Sequence, residues 1–302
     1  MAIFRLEAKV FSREKRGRSV IAAAAYRAGA KLKDERTDKT YDYSRKAGVI
    51  RSVILAPEAA PDWARESGTL WNTVERGEKR VDAQLAREFI LSLPKELDEK
   101  QRWETAVAWA QSELVSRGMV AEVSLHHSRD GRNPHAHILC TMRKLDGDTF
   151  SAKKAREWNE DGLLIAQRES WAKAVNAALE QAGRNERVDH RSLSDQGIDR
   201  MPEPKIGVAA TAMQRKGKLL DSPVLERVRK IRFLNHLQPF IRNMAEDGPG
   251  LEIGAGSTWW ERSASFMSRM RERAGGMVKD AWQKYLDSRA IEEKKDGPDL
   301  YR

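Results

Sequence analysis

The run Asn133-Pro-His-Ala-His-Ile-Leu-Cys-Thr-Met-Arg143 constrains the fold of this 302-residue chain more than any other. After Pro134 it is rich in apolar residues and roughly alternating, which predicts a β-strand. Side chains at i and i+2 of a strand share a face, so His135 and His137 stand side by side, about 7 Å apart along the backbone. A further histidine lies just upstream in Val123-Ser-Leu-His126-His127, across the short connection Ser128-Arg-Asp-Gly-Arg-Asn-Pro134. The spacing predicts a hairpin whose paired strands converge on one three-histidine metal site. A lone His-x-His pair is weak evidence for a metal. Four of the chain's six histidines fall within residues 126–137, which strengthens it. His126 and His127 point to opposite strand faces, and the residues alone leave the choice between them open. Cys140 lies on the face opposite His137 and reads as a small buried apolar residue, not a ligand.

Composition narrows the class. Hydrophobic content of 40% and nine tryptophans suffice for a real core. A single cysteine excludes an internal disulfide and fits a reducing compartment. No apolar run approaches the length of a bilayer span, and the N-terminus lacks a signal-peptide core, so a soluble, cytoplasmic protein is expected. The net charge of +10 is concentrated near the start, where residues 1–50 carry thirteen Lys/Arg against six Asp/Glu. That excess points to a polyanionic partner, most simply nucleic acid; a merely solvated basic surface is the alternative.

The chain opens with an alternating strand over residues 2–11, with Phe4, Leu6, Ala8 and Val10 on one face. A basic loop, residues 12–19, follows. Then Ser19 can cap a helix through an alanine run that carries Tyr26 near its end and stops at Gly29. On its own, Tyr26 reads as a core tyrosine. Beside the most basic stretch and a histidine cluster it reads instead as a nucleophile toward a DNA phosphodiester. In Arg87-Glu88-Phe-Ile-Leu-Ser-Leu-Pro94, Glu88 is an acidic residue in an apolar strand. It is either paired with Arg87 or Arg80, or functional.

Several separated motifs resemble the MobA/MobL family, the MobQ class of plasmid mobilisation relaxases within the wider HUH endonucleases. They are Ala-Ala-Tyr26-Arg27-Ala-Gly, Tyr41-Asp-Tyr43-Ser-Arg-Lys, Ala86-Arg-Glu88-Phe-Ile-Leu-Ser-Leu-Pro94, Asn133-Pro-His135-Ala-His137, and Val188-Asp-His190-Arg191-Ser-Leu with Gln196-Gly-Ile-Asp-Arg200. The resemblance implies an α+β fold, with a five-stranded antiparallel sheet flanked by helices and the histidine strands central. It implies strand-specific nicking at a plasmid origin of transfer by Tyr26, giving a covalent 5′-phosphotyrosine. It also implies a divalent ion, Mn²⁺ or Mg²⁺, on His135, His137 and an upstream histidine eight residues before the first, which selects His127. Glu88 becomes a general base or an outer partner of the metal. Arg27, Tyr41, Tyr43, His190 and Arg191 become candidate DNA contacts; for both tyrosines and for His190 with Arg191, a structural role stays open. Implied partners are single-stranded or supercoiled plasmid DNA, an accessory relaxosome protein and a type IV secretion coupling protein. The chemistry exchanges one phosphodiester for another, and the sequence shows no G-x-x-x-x-G-K-[ST] loop for a nucleotide.

Two rival readings remain: another HUH enzyme (a rolling-circle initiator or a transposase), and a non-catalytic basic DNA-binding protein with a structural metal. The expected organisation is a relaxase domain over 1–220, a helical extension over 221–245, a Gly-rich linker over 246–257 and an amphipathic helical tail over 258–302.

Overall fold

The computed structural model describes residues 3–13, 18–127, 133–198, 200–207, 210–211, 213 and 223–247. Most of the basic loop, the connection 128–132, Arg215, Lys216, the glycine-rich stretch from 248 and the tail 258–302 lie outside the described residues. The chain forms two compact units, Met1–His190 and Arg191–Arg302.

The first unit is built on five strands: β1 (Leu6–Ser12), β4 (Val49–Leu55), β5 (Gln84–Ser92), β6 (Ala121–His126) and β7 (His135–Thr141). They form one antiparallel sheet in the order β1-β5-β7-β6-β4. The histidine strand β7 is the middle strand, with β6 beside it. A hairpin of β2 (Lys31–Asp34) and β3 (Lys39–Asp42), and a short ladder of β8 (Leu145–Asp146) and β9 (Thr149–Phe150), stand apart from this sheet. The β2–β3 hairpin was not anticipated from its charged, turn-rich sequence.

Helices cover both faces, an α+β arrangement. On one face, Leu6, Phe89, Leu91, Val123, Leu125, Ala136, Ile138 and Cys140 pack beneath α3 (Glu99–Glu113) and α4 (Asp161–Gln181). Trp109 of α3 sets its ring edge-on to both Phe89 (5.9 Å) and Trp171 of α4 (5.6 Å). The opposite face is covered in part by α1 (Val20–Ala28) and α2 (Ser67–Arg76), through Val20, Ile21, Ala24, Ala25, Leu70, Trp71 and Val74.

Sequence accounts for α1 directly. The Ser19 side chain accepts from the Ala22 amide at 3.1 Å, and Gly29 ends the helix with φ +63°. That is the left-handed conformation glycine adopts without a Cβ penalty. The alanines let the helix sit close to the sheet.

In the second unit the described helix is α5 (Pro223–Asp247). Asn235 pairs with both backbone groups of Met201, at 2.8 and 3.0 Å, and Arg232 pairs with Glu203 at 2.8 Å, tying the 200–207 segment to the helix. No helix among the described residues is long and apolar enough to cross a membrane.

Candidate metal centre and nucleophile

Strand parity decides which side chains meet. In the ladder, His126 pairs with His135, and Ser124 pairs with His137. Paired residues share a face, so His126, His135 and His137 all stand on the α1 side, beyond the end of that helix. Their ring centroids lie 4.9–5.5 Å apart, and one candidate ligand atom from each falls within 4.8 Å of the others. The structure brings His126 to the pair where the family spacing selects His127, which follows the last residue of β6 with parity opposite to His126. The His127 backbone amide instead donates to the Gly48 carbonyl at 3.0 Å.

Each imidazole in the cluster has one ring nitrogen engaged with a protein acceptor. His135 Nδ1 donates to the Asn133 carbonyl (2.8 Å), His137 Nδ1 to Glu88 Oε1 (2.7 Å) and His126 Nε2 to the Arg27 carbonyl (2.5 Å). Such a bond fixes ring orientation and leaves the other nitrogen its lone pair. Burial pushes the His126 pKa down to about 3 and lowers that of His135, with neighbouring cationic groups adding to both shifts. These rings are therefore neutral at physiological pH, as ligands must be. Three imidazoles this close suit a borderline transition metal ion.

Glu88 sits on β5, on the histidine face, opposite Leu139. Its Oε1 accepts from His137 and also from Arg27 Nε at 2.8 Å. Burial alone would raise the Glu88 pKa, but these two hydrogen bonds and the Arg27 charge hold it near 2. The carboxylate is ionised and already engaged, which fits an outer partner of His137 better than a general base. Arg87, one of the partners considered for Glu88, binds Trp158 and Asn159 instead. Arg27 was expected to touch DNA. Its guanidinium is mostly buried, between Glu88 and the Ala23 carbonyl.

Tyr26 is on the last turn of α1, one residue before the carbonyl that His126 contacts, and is 49% exposed. Tyr43 presents its ring edge-on to it at 5.2 Å. Tyr41 and Tyr43 are partly buried against the core beneath α1 and α2. His190 packs its ring edge on Phe4 at 6.5 Å, and Arg168 of α4 donates to the backbone carbonyls of Leu6 and His190. Arg191, in the second unit, donates to the Asp195 carbonyl at 3.3 Å.

Sequence reading missed two further groups. Lys46 stacks on the Tyr26 ring, although it lies within the quoted Tyr41-Asp-Tyr43-Ser-Arg-Lys46 motif. Glu122 lies on the histidine face of β6, only 3% exposed, and accepts from Trp71 Nε1 at 2.6 Å. Burial raises its pKa to about 7. Its alternation with buried apolar residues on β6 was the available signal.

Comparison with known proteins supplies the context. The sequence profile of the MobA/MobL family matches residues 18–216. The mobilization protein MobL of Acidithiobacillus ferridurans is 37% identical over 248 residues, 72% of this chain and 65% of that protein. The conjugal transfer protein TraA of Agrobacterium fabrum is 36% identical over 259 residues, 76% of this chain but 23% of that protein. The chain thus spans about a quarter of the length of TraA. A structure solved for the molecular basis of vancomycin resistance transfer in Staphylococcus aureus superposes with a TM-score of 0.59. It is 33% identical, and the match covers 63% of this chain and all of that one. On its sequence and on its five-stranded antiparallel scaffold, this chain belongs to the MobA/MobL family.

Proposed function

We propose that the chain is a relaxase: it nicks one strand of plasmid DNA at an origin of transfer, holds the cut end covalently on Tyr26, and later rejoins it. The relatives named for mobilisation and conjugal transfer support the biological setting. The observation that carries the chemistry is the exposed phenol at the end of α1, adjacent in sequence to the carbonyl that touches the histidine cluster.

The Tyr26 oxygen attacks the scissile phosphorus, forming a P–O bond to tyrosine and breaking the P–O3′ bond. The 3′ oxygen leaves and takes up a proton, while the phenol proton passes to solvent, to which the half-exposed ring is open. The product is again a phosphodiester, so the step is reversible and needs no nucleotide energy source. A divalent ion held by His126, His135 and His137 would supply Lewis acidity to a phosphate oxygen, and Mn²⁺ or Mg²⁺ is the working choice. Glu88 orients His137 and is itself held by Arg27. The basic N-terminal segment, residues 1–50, binds the strand. Partners in an accessory complex and a secretion coupling protein follow from the same reading.

The test uses the protein, Mn²⁺ and single-stranded oligonucleotides with a randomised core, labelled at the 3′ end, which stays on the protein after 5′ attachment. A DNA-shifted band on a denaturing gel is expected, reduced at least about 10³-fold in Tyr26→Phe and abolished by chelator. A band that survives Tyr26→Phe moves the nucleophile elsewhere. Tight DNA binding with no band in the wild type favours the non-catalytic reading.

A further inference from the structure

The loop between β3 and β4 is built against Tyr26. Lys46 leads from this loop back to α1, where its ammonium donates to the Tyr26 carbonyl at 2.8 Å. The same nitrogen stands 3.6 Å from the centroid of the Tyr26 ring. Tyr43 meets that ring edge-on, with an interplanar angle of 88°. The Lys46 amide donates to the Tyr43 carbonyl at 2.9 Å, so both clamping side chains hang from one tight turn. The turn is anchored near the metal candidates: Gly48 accepts from the amide of His127, the residue after His126. One short segment thus connects the phenol to the histidine strand.

We propose that Lys46 is a positioning residue for the Tyr26 nucleophile: its ammonium holds the phenol ring from one face and stabilises the negative charge the ring gains as the phenol gives up its proton on the way to attacking phosphorus. The inference rests on the relaxase reading and deepens it.

A cation over an aromatic face is attracted by the ring quadrupole, and more strongly where water is partly excluded. Lys46 is half-buried. Burial, and secondarily the Arg27 charge, lowers its pKa to about 8, so it remains mostly protonated near neutrality while poorly hydrated. When the phenol becomes a phenolate-like oxygen, delocalised charge increases on the ring beneath the ammonium. The interaction strengthens along the reaction coordinate, the condition for accelerating a step and not merely tightening binding. In the same step the Tyr26 O–P bond forms and the P–O3′ bond breaks; Lys46 neither gains nor loses a proton.

The experiment measures the single-turnover rate of adduct formation and the DNA Kd separately. It uses wild type, Lys46→Met, Lys46→Arg and Tyr26→Phe, with Mn²⁺ and an oligonucleotide recovered from the randomised pool as a wild-type adduct. Lys46→Met keeps the stem and removes the cation; its rate should fall roughly ten- to hundredfold, with Kd within about threefold of wild type. Lys46→Arg restores a cation that can stack on the ring and should recover most of the rate. A Lys46→Met rate equal to wild type overturns the inference and leaves the Tyr26 reading intact. So does a loss confined to Kd, which makes Lys46 a DNA backbone contact. A rate loss that Lys46→Arg does not repair overturns it as well, since it makes the role one of shape. Adduct that persists in Tyr26→Phe refutes the nucleophile and the inference together, an outcome distinct from all of these. If Lys46→Met fails to fold, Lys46→Gln under the same comparison replaces it.

Discussion

Along β7, Ala136, Ile138 and Cys140 face α3 and α4 and are fully buried, whereas His135 and His137, at alternate positions, face the other way and stay partly open. On β6, Val123 and Leu125 belong to the closed face, while Glu122, Ser124 and His126 belong to the other. The strands are shared and the two faces differ in kind. The closed face is packed by tryptophans and aliphatic side chains. The other face, covered in part by α1 and α2, carries polar groups that hold one another in place. A β-strand separates these tasks at no cost in length, because its side chains alternate. The scaffold that fixes the histidines is therefore their own sequence neighbours.

The comparison breaks most visibly at Ile138. Ile138→Ala should cost about 2–5 kcal/mol of stability by leaving a cavity under α3 and α4, read as a lowered denaturation midpoint. Below that midpoint, Mn²⁺ affinity should be unchanged. A large loss of metal binding in the folded variant would show that the faces are not separable.

Glu122 tests the opposite face. Its folded pKa, about 7, lies above the ordinary 4.5. Between these values the folded chain keeps a proton that the unfolded chain has released, so its contribution to stability falls as pH rises through that window. Glu122→Gln can still accept from Trp71 and removes the linkage. Relative to wild type it should gain about 3 kcal/mol between roughly pH 4 and pH 8. Paired denaturant titrations at the two pH values check this, and a pH-independent difference would contradict it.

The smallest effect belongs to Glu88. Glu88→Gln keeps the shape but weakens the bond that orients His137, so Mn²⁺ affinity should fall about 10- to 100-fold by calorimetry. Full loss of folding would instead mark the Arg27–Glu88 pair as structural, since removing one member strands the other's charge.

Much of this was legible locally. Alternation located β1 and β7, the upstream histidines marked β6 and the apolar run around Glu88 marked β5, and Ser19 and Gly29 marked the ends of α1. The histidine parity was legible too, in that His126 and His127 had to face opposite ways. Which one joins the pair depends on cross-strand register, a property of β6 against β7 that neither strand states alone. The partner of Glu88 is Arg27, sixty-one positions earlier. Lys46 reaches Tyr26 across twenty positions. Neither relation leaves a local periodic trace. The β2–β3 hairpin escaped notice because Lys31-Leu-Lys-Asp offers only one well-buried apolar side chain, Leu32.

Gly48 has φ +89°, and a Cβ built there would lie 2.7 Å from the His127 carbonyl oxygen. For anyone diversifying the 43–48 loop to retarget the protein, this is the position to leave untouched. A side chain there would have to displace backbone beside His126, so sequence libraries should concentrate their variety at Ser44 and Arg45 and keep the glycine.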